Sequence, residues 1–272
     1  WDQMSIYMKE SLLAKFGLEP LIRWQLHRLR QWDQISAARA DYLFANSRFT
    51  ARRIASYWRR EAEVVHPPVN VNRFDWTKTR EEFYLCLCRL VPNKRVDLVI
   101  KAFNELALPL IVVGDGPQAS SLKKIAESNV TLLGSQSSAE VEDLMSRCRA
   151  FVYAGIEDFG IAPVEAMAAG APVIGYGQGG LLDTVRCALD EDSEPTGILF
   201  KEAKTSSLID AVNWFENNKL WNQFSSEAIR LWAENFRTEA FEARFSQSLA
   251  NAWMKHKSSL SYDSTDLNLP TK

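Results

Sequence analysis

From Phe83 to Phe200 the chain repeats one unit: a short apolar run, a turn, and a stretch whose apolar residues recur at helical spacing. This recurrence constrains the fold more than any other feature. Strands are predicted at 83–88, 110–113, 130–133, 150–154, 172–175 and 197–200. Helices are predicted at 96–106, 118–127, 139–147, 161–169 and 181–188. Short apolar strands alternating with helices make a parallel sheet covered on both faces. In such a sheet ligands sit beyond the carboxyl ends of the strands, where loops meet helix N-termini. Ser137 and Glu140 have capping-box spacing at the start of one helix. Further helices are predicted at 206–217, 220–234 and 238–255, with a polar, frayed tail from His256 to Lys272.

Ahead of this region the character differs. Between Lys15 and Arg60 stand ten lysines and arginines against three acids, with Trp24, Trp32 and Trp58 among them. A strand at 42–45 ends at Asn46-Ser47, which can cap a helix at 49–59. A second strand at 63–66 stops at Pro67-Pro68, which supply no backbone donors. The polar stretch 70–82 has no clear period and reads as a linker. Two domains are therefore expected in the 272 residues. The chain opens at Trp1, with neither an initiator methionine nor a signal peptide, and is read as part of a longer protein.

Composition narrows the function. With 46% hydrophobic and 24% charged residues the chain is neither disordered nor membrane-spanning, and a net charge of −2 argues against a nucleic-acid binder. Cys86, Cys88, Cys148 and Cys187 are too few and too irregular for a disulfide scaffold and are expected as reduced core thiols in a cytoplasmic protein.

Chemistry concentrates between Glu157 and Ile174. Glu157 follows a strand on the ligand side of the sheet, and Glu165 stands eight residues on, about one turn into the helix that Pro163 helps to start. The neighbours of Glu165 at helical spacing are Ile161, Ala162, Ala168 and Ala169, so it has no partner on its own helix. A carboxylate buried alone there is costly, and it is expected to face a polar cavity. Gly160 allows close backbone approach, so the amides from Phe159 to Ala162 can cradle an anion. Arg89, Lys94 and Arg95 lie after the first strand of this region, where cations can neutralise a diphosphate.

These residues carry a resemblance. Arg89-Leu-Val-Pro92-Asn-Lys94-Arg95, Val113-Gly-Asp-Gly116-Pro117, the span from Glu157-Asp-Phe-Gly160 through Glu165-Ala-Met-Ala-Ala-Gly170, Gly179-Gly180 and Thr196-Gly-Ile-Leu-Phe200 stand in one order. Together they resemble the retaining glycosyltransferases of family 4, and Trp32-Asp33, Ala45-Asn-Ser47 and His66-Pro-Pro68 resemble the end of the N-terminal domain in bacterial mannosyltransferase-like members. The resemblance implies an α/β, GT-B fold: a Rossmann-like parallel-sheet domain preceded by the closing fragment of a second Rossmann-like domain. The expected divisions are 1–75 for that fragment and linker, 76–235 for the nucleotide-sugar domain, 236–257 for a helix crossing back, and 258–272 for a flexible tail.

By the same resemblance, Glu165 holds the ribose of a nucleoside-diphosphate sugar, and Arg89 and Lys94 its diphosphate. Glu157, Phe159, Gly160 and Ile161 contact the sugar, and the backbone at Gly114 and Gly134 lines the rest of the donor site. Glu157, Arg89 and Lys94 are the expected catalytic groups, with no metal and no cofactor. The acceptor is expected to be a glycan or lipid-linked. The piece alone is expected to lack turnover, and a non-catalytic nucleotide-sugar-binding module is the alternative. A peripheral contact with anionic membrane through the basic 15–60 region is a further expectation.

Two spellings compete. Gly175-Tyr-Gly177-Gln-Gly-Gly180 has the letters of a dinucleotide fingerprint but does not follow the first strand of its domain. Asp190-Glu191-Asp192 has the letters of a metal-binding D-x-D, in an acidic loop before Pro195. Neither is expected to bind. His27, His66 and His256 are read as surface or packing residues.

Overall fold

The computed structural model describes residues 19–189 and 194–262. The first part holds α1 (Glu19–Ala37), β1 (Phe44–Ala45), α2 (Arg48–Trp58) and β2 (Glu63–Val64), with β1 and β2 paired in parallel. Buried Ser47 caps α2, its side chain accepting from the Thr50 amide at 3.0 Å.

The second part is a six-stranded sheet in which every pair is parallel: β3 (Tyr84–Leu87), β4 (Leu110–Val113), β5 (Val130–Gly134), β6 (Ala150–Tyr153), β7 (Val173–Tyr176) and β8 (Gly197–Phe200). Their spatial order is β5-β4-β3-β6-β7-β8. The chain runs outward from β3 to one edge, returns to the middle, and runs outward to the other. The direction reverses between β3 and β6, the position at which open parallel sheets commonly bind ligands. Helices α3 (Val96–Leu106), α4 (Ala119–Ile125), α5 (Ser138–Arg147), α6 (Ile161–Ala168), α7 (Leu181–Thr184), α8 (Thr205–Asn217), α9 (Ser226–Ala233) and α10 (Thr238–Tyr262) complete the order.

Strand side chains divide between two cores with period two. Tyr84, Cys86, Ala150, Val152 and Ile174 join α3 and α8 on one face; Leu85, Phe151, Tyr153 and Val173 join α5, α6 and α9 on the other. The four cysteines are free, and burial pushes the Cys148 thiol up to about 11.

Four expectations need correction. The helix predicted at 181–188 stops at Thr184, because Arg186 and Ala188 bond instead to Thr196 and Gly197 beside β8. The helix predicted at 220–234 is broken by a 3-10 turn at Leu220–Asn222 and restarts at Ser225, whose hydroxyl caps α9. The tail predicted to fray from His256 is helical to Tyr262, and 263–272 lie outside the described residues. Finally, the supposed linker is packed at its start: Val71 and Phe74, like Val69 just before it, are buried among α6 and α9, around a 3-10 turn at Val71–Arg73.

This strap and α6 are fastened together. Helix α6 has no basic residue in its last turn, and its carbonyl end is held from outside by two buried guanidinium groups. Arg230 donates to Val71 O (2.6 Å), Ala168 O (3.2 Å) and Asn72 Oδ1 (3.1 Å). Arg80 donates to the carbonyls of Met145, Ser146 and Cys148, and to that of Ala169. Removing either leaves several buried acceptors unmet, at about 1–3 kcal/mol per group. Arg230→Ala and Arg80→Ala are each expected to cost about 2–4 kcal/mol in urea denaturation, whereas Arg237→Ala, at a half-exposed position, stays within about 0.5 kcal/mol.

Candidate functional site

The loop from β6 to α6 brings the chemistry together. Gly155 lets it lie against the Pro92–Lys94 turn: a Cβ there would stand 3.0 Å from Lys94 Cα and 3.1 Å from Asn93 O. That approach places Lys94 beside Glu157. Lys94 Nζ and Tyr153 Oη both donate to Glu157 Oε1, with Lys94 and Glu157 mostly buried. Glu157 Oε2 has no hydrogen bond among the described residues and can accept from a ligand hydroxyl. Burial, then the neighbouring Glu157, drives the Tyr153 phenol far above its ordinary range, so it stays a donor.

Gly160, at φ 95°, turns the chain into α6. No side chain caps this helix start, and Ile161 is half exposed, which leaves its first amides without a side-chain acceptor. Phe159, just before, is buried at 3% exposure and stacks beneath His66.

Glu165 lies on the same helix, 20% exposed. Its partners come from other elements: Arg73 Nη1 of the strap stands 3.6 Å away and is itself held by Glu142 of α5 at 2.8 Å. Burial raises the Glu165 pKa, Arg73 opposes the shift, and Glu142 adds to it. As expected, Glu165 has no partner on its own helix; its charged neighbours, Arg73 and beyond it Glu142, come from the strap and α5.

Gly114 (φ 130°) and Gly134 (φ 71°) stand at the carboxyl ends of β4 and β5, where the Gly114 amide donates to Gly134 O at 2.9 Å. Arg89 is exposed on the loop after β3. The structure thus joins Lys94 to Glu157, sets Gly160, Ile161 and Glu165 on one helix, and leaves Arg89 extended into solvent. Tyr153 and Arg73 are not legible as site residues from sequence. Tyr153 had one signal, its place at a strand end four residues before a carboxylate; Arg73 had none.

The dinucleotide spelling at 175–180 is spent on packing. Gly179 and Gly180 press on the backbone of Glu157 and Phe159, and the helix that follows is only four residues long. Asp190-Glu191-Asp192 lies outside the described residues. Among the described residues no three His, Cys, Asp or Glu side chains group as a metal site.

Because folding raises the Glu165 pKa, the ionised carboxylate costs stability at neutral pH and the cost fades as pH falls through the raised value. Glu165→Gln is expected to raise the melting temperature at pH 7.5 by about 2–4 °C, roughly 1 kcal/mol, with the gain vanishing near pH 4. A lower melting temperature at pH 7.5 would contradict the electrostatic reading.

Residues 69–231 match the family described as glycosyl transferases group 1. The O-antigen chain mannosyltransferase RfbU of Salmonella typhimurium is 26% identical over 64% of this chain and 49% of its own. A GDP-mannose-dependent alpha-(1-6)-phosphatidylinositol monomannoside mannosyltransferase of Mycolicibacterium smegmatis is 31% identical over 57% of this chain and 51% of its own. The structure is similar to that of Anabaena HepE in complex with UDP-glucose, with TM-score 0.66 and 19% identity over 78% of this chain and 64% of that one. The chain spans about half the length of the curated relatives it matches. With the family pattern covering more than half of the sequence, and with this sheet and these loops, the chain belongs to the glycosyl transferases group 1 and has the α/β architecture of the GT-B fold.

Proposed function

We propose that the crevice between β3 and β6 binds a nucleoside-diphosphate sugar, and that the whole protein transfers the sugar, with retention, to a glycan or lipid-linked acceptor. One observation carries the reading: the Lys94–Glu157 pair adjoins the uncapped start of α6, with Glu165 farther along the same helix. Glu165 suits two vicinal ribose hydroxyls. Lys94, the exposed Arg89 and the first amides of α6 suit a diphosphate, with the base toward the open backbone of Gly134 and the adjoining Gly114. Glu157 Oε2 and the backbone of Phe159, Gly160 and Ile161 suit the sugar.

Cleaving the anomeric bond to the diphosphate builds negative charge on the leaving oxygen. Fixed cations and helix-start amides stabilise that charge without reorganising. Glu157, itself fixed by the Tyr153 hydroxyl, holds the Lys94 ammonium in place beforehand, and the chemistry calls for no metal. Mannose is the favoured sugar because the relatives' names include mannosyltransferases, one of them GDP-mannose-dependent.

Helix α1 suggests the acceptor side. Leu21, Trp24, Trp32 and Ile35 are exposed at positions that share one stripe, with Arg28 stacked over Trp24 at 5.1 Å. A basic, Trp-bearing stripe fits an anionic lipid surface, and no described helix is long and apolar enough to cross a membrane. Flotation with phosphatidylglycerol vesicles is expected to carry the protein up at low salt and lose it at high salt. No flotation at either removes the membrane contact.

A thermal-shift panel of GDP, GDP-mannose, UDP and UDP-glucose tests the donor reading: a true donor at about 100 times its Kd stabilises by roughly 2.7 kcal/mol. Glu165→Ala is expected to weaken the active nucleotide about 30-fold or more in calorimetry, the loss of one or two charged hydrogen bonds. EDTA is expected to leave the wild-type affinity unchanged. No shift with any of the four compounds would overturn the proposal.

A further inference from the structure

The segment ahead of the strap reaches the sugar end of this crevice through one buried carboxylate. The side chain of Asp183, on α7, is 1% exposed, and a carboxylate so buried must be paired. Both partners come from the N-terminal part. The Arg48 amide and Nε donate to it at 2.7 and 3.0 Å, and His66 Nε2 lies 3.0 Å from Oδ2. Burial pushes the Asp183 carboxyl up, but the hydrogen bonds from His66 and Arg48 outweigh it and leave the pKa below the usual carboxylate range.

The His66 ring so anchored lies on Phe159, with centroids 5.6 Å apart and planes at 29°, and both rings meet Phe236 edge-on at 5.6 Å. Beneath, Gly180 N donates to Glu157 O at 2.8 Å, and a Cβ on Gly180 would stand 2.3 Å from Phe159 Cα. Beside, Arg53 Nη1 holds Asp158 at 2.7 Å. The three residues from Glu157 to Phe159 are therefore held between the Gly179-Gly180 turn and the N-terminal part. Asp183 governs both sides, since α7 begins at that turn and Asp183 orients the ring on the opposite side.

We propose that His66 and Asp183 are positioning residues: they fix the Glu157–Gly160 loop in the shape that receives the donor's sugar, without touching the donor. This rests on the donor reading above. It separates the sugar from the nucleotide, because Glu165 answers to Arg73 of the strap, and Lys94, though it meets Glu157, stands on its own turn at Pro92–Lys94. Displacing a recognition loop by about an ångström is enough for losses up to about a hundredfold.

Calorimetry on the chain with GDP against GDP-mannose and UDP against UDP-glucose tests it. His66→Ala is expected to weaken the preferred nucleotide sugar about tenfold while the matching nucleoside diphosphate stays within about twofold. Asp183→Asn and His66→Phe, which keeps a ring but loses the hydrogen bond, should move the same ratio by about threefold. If His66→Ala fails to fold, the His66→Phe and Asp183→Asn ratios decide. Equal losses for nucleotide and nucleotide sugar would mark a general packing role and overturn the proposal, as would an unchanged ratio. Wild-type protein that binds none of the four compounds would overturn the donor reading and this inference with it, whereas wild-type binding with an unchanged ratio overturns the inference alone.

Discussion

Helix α6 is eight residues of mostly small apolar side chains, wedged against the middle of the sheet, and everything chemical is measured from it. A helix this short has little stability of its own, so its place depends on what holds its ends. Arg80 and Arg230 take its free carbonyls at the far end, from the strap region and from α9. Its near end is left open beside Gly160. With one end bonded from outside and the other uncapped, the helix keeps its spare donors at the Gly160 end. The strap that carries Arg73 is tied to α6 by the same Arg230, so Glu165 and its cationic neighbour share one support.

The site's charges are arranged before any ligand arrives. Lys94, Tyr153 and Glu157 form one hydrogen-bonded cluster, which fixes two side chains that would otherwise sample many rotamers. Glu165 is the opposite case. Its burial favours the neutral form, with partial relief from Arg73.

Much of the frame was legible because local pattern and tertiary outcome agree. The strands at Leu110–Val113 and Gly197–Phe200 and the helix at Val96–Leu106 fall where periodicity puts them, and the Ser137–Glu140 capping box is formed. What escaped depends on which strands become neighbours. Residues 185–188 have a helical pattern, yet the edge of β8 recruits them. Val71 and Phe74 sit in a polar stretch with no period, and only the presence of α6 and α9 explains their burial. At the site, the glutamates, Gly160 and Lys94 were marked by spacing, whereas Tyr153, Arg73 and the His66–Asp183 pair unite residues up to 117 positions apart. Sequence spacing gives no measure of such pairs until the strand order is known.

Helix α10 bears on how such a chain acquires its shape. It has 25 residues, about 37 Å at helical rise, and reaches from the sheet domain back to the first strands, where Phe245 packs on Phe44 at 5.5 Å and Ser248 bonds Glu63 at 2.5 Å. The cover for β1 and β2 is therefore made nearly two hundred residues after the strands themselves. During synthesis the sheet domain can close around its own cores while β1 and β2 still lack this flank. The earliest strands of this region to leave the ribosome are thus among the last to gain their full set of contacts.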